Sequence, residues 1–171
     1  MAGGLADHFL TFAHYNIWAN RRLYDACAAL PESVYFNPRA SGFFKTIHGA
    51  LNHIMVGDRA WMRRITGDGP TPNALDEELH ATLADLRVAR EAEDARILDY
   101  VGSCDEGELA RVVRFTPLTA SPDSRSVAEM LGHLFNHQTH HRGQVHALLS
   151  DAGADPPPLD LIYFLREVSP A

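Results

Sequence analysis

The chain has 171 residues, 46% hydrophobic and 22% charged, with 22 acidic against 15 basic side chains and a formal net charge of -7. These values fit a single soluble globular domain over 1–171, large enough to bury a core without disulfides or metal staples. They argue against nucleic acid as a partner, which needs a basic face, and no apolar run reaches the roughly 18–20 residues that cross a bilayer.

The opening stretch, Met1 to Phe12, has no basic segment followed by a continuous apolar one, so no signal peptide is expected. Cys27 and Cys104 match no CxxC motif and read as reduced thiols of a cytoplasmic protein. The first helical pattern runs from about Leu5 to Leu30, with Phe9, Phe12, Ile17, Tyr24 and Cys27 at near-helical spacing and Pro31 as its end. A second runs from about Phe44 to Thr66, striped by Ile47, Leu51, Ile54, Trp61 and Ile65 and stopped by Gly67. The third begins near Asn73 and continues to Val101. Leu75, Leu79, Leu83 and Leu86 open its apolar face, which thins into alanines before Ile97, so this helix should be the most exposed.

Ahead of the last long helix, "ARVVRFTPL" is rich in β-branched residues and predicts a short strand or irregular link. Ser126 and Glu129 then form a capping box, followed by the stripe Val127, Met130, Leu134, Val145 and Leu148, with Gly153 as the stop. The tail, "PPPLDLIYFLREV", predicts a short helix folded back on the rest. Four long amphipathic segments without βαβ alternation give an all-α, antiparallel four-helix bundle.

The fourth segment carries "NHQTHHRGQ". Residues four apart on a helix lie about 40° apart, so His137 and His141 are neighbours beside the apolar stripe. Two imidazoles turned toward a core need partners, because an unpaired buried polar group costs about 1–3 kcal/mol. One divalent metal satisfies both, although HxxxH also arises by chance in ordinary helices. His133, His140 and His146 lie farther round; His140 competes most closely for a ligand role. The second segment offers a third ligand, His53 or His48. His53 is preferred because Ala50 and Gly57 on its side leave room.

These residues carry a resemblance. "HYNIWANRRLYD", "LNHIMVGDRAW" and "HLFNHQTHHRGQVHALL" are similar to motifs of the DinB/YfiT-like family of bacterial four-helix-bundle proteins, and the likeness spans essentially the whole chain. It implies that His53, His137 and His141 form a three-histidine metal site; three imidazoles leave a position open. Zinc or nickel suits such ligands, with iron a weaker option. Some members of the wider superfamily are thiol transferases, which implies a metal that activates a low-molecular-weight thiol for attack on a small electrophile. The competing reading is a non-catalytic metal-binding stress-response protein. Direct DNA repair is suggested only by the damage-inducible family name, and the acidic charge speaks against it. The resemblance also implies a homodimer.

Around the ligands, Asp58 and His133 can orient imidazoles or simply sit at a helix seam. Tyr15 reads as a pocket wall, Trp18 as packing and Trp61 as core. Arg142 points away from the metal stripe, toward an anion or, better, an ion pair with another helix. Gly143, costing about 1 kcal/mol in mid-helix, calls for close approach of a neighbouring helix.

Overall fold

The computed structural model describes residues 4–39, 44–117 and 121–168. In chain order, α1 spans Leu5–Ala28, α2 Glu32–Tyr35, α3 Ile47–Thr66, α4 Leu83–Ser103 and α5 Glu106–Ala110. β1 (Val112–Phe115) and β2 (Asp123–Ser126) pair antiparallel, followed by α6 (Val127–Asp151) and α7 (Leu161–Val168). The four long helices α1, α3, α4 and α6 form the expected all-α bundle, with α3 and α4 as one parallel pair.

Side-chain pairings fix how the helices run. His53 meets His141 while Trp61 meets His133, so α3 and α6 are antiparallel. Asn16 meets Asp94 and Asp25 meets Arg87, so α1 and α4 are antiparallel too. Asp58 pairs with Arg90 and Thr66 with Arg96, so α3 and α4 run the same way. Parallel neighbours cannot be joined by a tight turn, because the chain must first return along the bundle. Residues 67–82 make that return.

This crossover corrects the predicted start of the third helix. Asn73 to Ala81 are not helical; α4 begins after Thr82, whose side chain accepts from Asp85 N. Pro70 and Pro72 keep the preceding stretch extended, and Asn52 takes the place of helical partners. Its Oδ1 accepts from Leu79 N (2.9 Å) and His80 N (3.1 Å). Elsewhere the signals match the structure. Thr46 caps α3, and Gly67 ends it in the left-handed region at φ 75°. Ser126 and Glu129 close their capping box. The strand is present as β1, while its partner β2 carried no clear signal and leads directly into α6; Leu118 lies outside the described residues.

The apolar core is in two parts. Phe9, Met62, Ile97, Met130 and Leu134 belong to one cluster, and Leu23, Leu51, Met55, Leu86 and Val145 to the other. Between them each long helix turns polar at the same level: Asn16 and Asn20 on α1, Asp58 on α3, Arg90 and Asp94 on α4, Gln138 and Arg142 on α6, all buried. Arg90 bridges Asp58 (2.5 Å) and Asp94 (3.0 Å). Asn16 and Asn20 donate to Asp94 and accept from Arg142, while Gln138 donates to Asp58. Two carboxylates and two guanidinium groups balance in formal charge. As expected, α4 buries the fewest residues of the four long helices; three of them, Arg90, Glu93 and Asp94, are charged.

Two expectations change here, for Arg142 and Gly143, and of the two readings of Asp58 the helix seam holds. Arg142 crosses to α1 as predicted, but it binds asparagine amides and has no carboxylate within 4.0 Å among the described residues, so the ion pair is not formed. Asp58 belongs to this polar layer and bonds no ligand imidazole. Gly143 is exposed with nothing within 4 Å of where a Cβ would lie, so no helix approaches it.

Candidate metal centre

The antiparallel contact of α3 with α6 sets His53 beside His137 and His141. His53 Nε2 lies 3.2 Å from the Nε2 of both His137 and His141. One ligand atom from each ring falls within 4.8 Å of the others. The predicted triad is therefore assembled.

Hydrogen bonds at the far sides of the rings fix what those nitrogens carry. His53 Nδ1 is 2.7 Å from the Leu75 carbonyl oxygen, an acceptor, so Nδ1 holds the proton and Nε2 a lone pair. His141 Nδ1 stands 2.8 Å from Gln144 Oε1, which places its proton in the same way. Gln144 is held in that orientation by His140, 3.2 Å from its Nε2. Leu75 can serve because it lies in the crossover; inside a helix its carbonyl would accept from its own helix.

Two lone-pair nitrogens 3.2 Å apart repel unless a positive charge lies between them. Burial disfavours a proton there: it pushes the His137 imidazole down to about 3, with His141 and His53 adding to the effect, and His141 down to about 4. His53 is lowered too, again by burial. A metal ion fits better. Two imidazole nitrogens bound at about 2.0–2.1 Å in tetrahedral geometry sit about 3.3 Å apart, close to the observed spacing. The three imidazoles could hold a divalent cation and leave a position open.

Their surroundings are equally specific. A Cβ on Gly57 would come within 2.4 Å of His137 Cε1, so only glycine admits that ring. Phe44 stacks on His53, centroids 3.9 Å apart and planes 23° apart. His137 Nδ1 has no hydrogen-bond partner among the described residues.

The alternatives separate cleanly. His48 is occupied: its Nδ1 is 2.8 Å from Tyr35 Oη and its Nε2 accepts from Asn52 Nδ2 at 3.0 Å. His140 faces Gln144 and falls outside the cluster. His133 packs tilted against Trp61 (centroids 4.4 Å, planes 51° apart) with its ring 5.9 Å from that of His137, so it neighbours the site without bonding a ligand. Trp61, expected in the core, is a half-buried wall beside it. Tyr15 does line a cavity, but with Arg142 on the other side of α6, where its hydroxyl donates to Leu159 O (2.6 Å). Trp18 packs against Phe164, as expected.

Sequence reasoning missed Asn52, Leu75, Phe44 and Gln144. Only Gln144 left a usable signal, its i+3 spacing from His141.

With this geometry in place, similarity to known proteins can be weighed. The family model described as "DinB family" matches residues 5–168. The chain belongs to the DinB family. Protein DinB of Bacillus subtilis (strain 168) is 26% identical over 166 residues, covering 94% of this chain and 95% of that protein. The match takes in both helices of the triad. In this DinB-family chain no described helix is long and apolar enough to cross a membrane. Its own cysteines are buried and free, and burial pushes the Cys27 thiol up to about 12. Neither belongs to the histidine cluster.

Proposed function

We propose that this DinB-family protein binds one divalent cation, zinc or nickel before iron, through His53, His137 and His141, and acts as a thiol S-transferase on a small electrophile. The observation that carries this reading is the convergence of three Nε2 atoms, two of them kept as lone pairs by Leu75 and Gln144. A divalent ion held there supplies Lewis acidity, which lowers the pKa of a thiol and favours the thiolate at neutral pH.

The chain's residues provide the rest. Neutral imidazoles leave the cation with undiminished positive charge, Phe44 keeps water from one side of His53, and Gly57 gives His137 its place. Because both cysteines are buried and lie outside the histidine cluster, the reacting sulfur comes from a low-molecular-weight thiol. Overall, the thiol sulfur bonds to an electrophilic carbon, its proton goes to solvent, and the leaving group departs with the bonding pair. The reading includes a homodimer, checked by light scattering, and a cytoplasmic setting, where both cysteines stay reduced.

Titration of cobalt-loaded protein with small thiols tests the proposal. A new sulfur-to-cobalt charge-transfer band supports it. No response to any thiol leaves a non-catalytic metal-binding protein.

A further inference from the structure

Among the described residues, Arg64 has an unusual position. The other arginines withdrawn from full exposure each have an oxygen or ring-nitrogen partner; examples are Arg59 with His80, Arg90 with Asp58, Arg96 with Glu93 and Arg142 with Asn16. Arg64 is half-buried, yet the described residues give it no hydrogen bond and no ion pair. Its guanidinium lies over Trp61 at 4.6 Å and near Phe115 at 5.4 Å. Aromatic faces attract a cation but leave its in-plane N–H donors unused. Burial also weakens its hold on the proton, a cost that no carboxylate offsets.

Three elements meet around Arg64. Trp61 and Arg64 come from α3, Phe115 from β1 and His133 from α6. Trp61 and Phe115 meet edge to face at 5.5 Å and 73°. This aromatic group adjoins the histidine cluster, since His133 packs against both Trp61 and His137. Gly57, which houses the His137 ring, and Arg64 are seven residues apart on α3, about 10 Å along the axis. The antiparallel hairpin brings Phe115 to this wall.

We infer that Arg64, walled by Trp61, Phe115 and His133, is a subsite for the anionic end of a small molecule whose other end reaches the histidine centre. A carboxylate suits it best, because a planar guanidinium offers paired donors to such a group. The inference rests on the open metal site proposed above and narrows its substrate class to anionic molecules with a short apolar body.

The test uses cobalt-loaded protein and two hydroxamates, which ligate through oxygen whether or not thiols bind. Acetohydroxamate has a neutral tail; succinate monohydroxamate ends in a carboxylate. The carboxylate probe should bind about 10-fold more tightly at low salt, the worth of one charge-assisted hydrogen bond at a half-exposed site, and lose that advantage as salt rises. Arg64→Gln should bring the two affinities within about 2-fold, with cobalt content and acetohydroxamate affinity unchanged; Arg64→Lys should retain part of the difference. Equal affinities in the unsubstituted protein, or an unchanged ratio in Arg64→Gln, would overturn the inference. So would silence toward both hydroxamates, which removes the open position itself. A response to hydroxamates with none to thiols removes only the thiol reading.

Discussion

Two polar regions are set into this bundle, and they are made differently. In the middle layer, Asp58, Asp94, Arg90 and Arg142 balance in charge and share hydrogen bonds with Asn16, Asn20 and Gln138. At the α3–α6 seam, three ring nitrogens face one another, two of them fixed as acceptors, and no other described residue answers them. The first region finds its counter-charges within the chain and ties the four helices together, although Asp58 Oδ1, Arg90 Nε and Arg142 Nε have no hydrogen-bond partner among the described residues. The second could hold a cation, and the proposed function places one there. Burial of polar groups alone does not mark a site; what marks one is a set of like partners held together by outside supports.

The largest effect should come from the balanced layer. Arg90→Met leaves Asp58 and Asp94 without their shared cation, which should cost about 3–5 kcal/mol of folding stability, read from urea unfolding. A small loss would mean that the layer tolerates unpaired charge and the contrast is overdrawn. Next, Gly57→Ala pushes a methyl into the His137 ring. Overpacking of this kind costs about 1–3 kcal/mol, and here it should appear chiefly as zinc affinity at least about 10-fold weaker by competitive chelation. Unchanged affinity would show that His137 is not needed.

Gln144→Leu should weaken zinc binding by about 10-fold, the low end for groups that orient a ligand imidazole, with the unfolding midpoint unmoved. A shifted midpoint and intact affinity would recast Gln144 as a packing residue. A further effect concerns pH. In metal-free protein the folded imidazoles of His137 and His141 resist protonation down to about 3 and 4, whereas the unfolded ones protonate near 6.5. The unfolded state therefore binds more protons below pH 6.5, and stability should fall as pH drops from there toward 4. Urea midpoints at pH 7 and pH 5 read this directly. The decline should be shallower in the His137→Ala/His141→Ala variant; an identical slope would assign it to other groups.

Much of this was legible in the sequence because helices write their faces at a fixed period. The stripes of α1, α3 and α6, the Ser126 cap and the Gly67 stop are local signals, and the i, i+4 pair His137 and His141 is another. The crossover was not legible. Leu75 and Leu79 continue the apolar spacing of α4, yet proline and the side chain of Asn52 hold them in an extended return. That return supplies the carbonyl that fixes His53, a link across 22 residues that no periodicity records. The middle layer was hidden for a related reason: Arg90 and Asp94 look like a solvated helix face until their partners on α3 and α1 are known. Gly143 misled because mid-helix glycine suggests a tight crossing, and here it lies on an open surface.

Metal stoichiometry measures the central point most directly. Elemental analysis of gently purified protein should find about one zinc or nickel per chain, and the His137→Ala/His141→Ala variant, folded by circular dichroism, should hold none. Equal metal in both proteins would contradict the three-histidine centre.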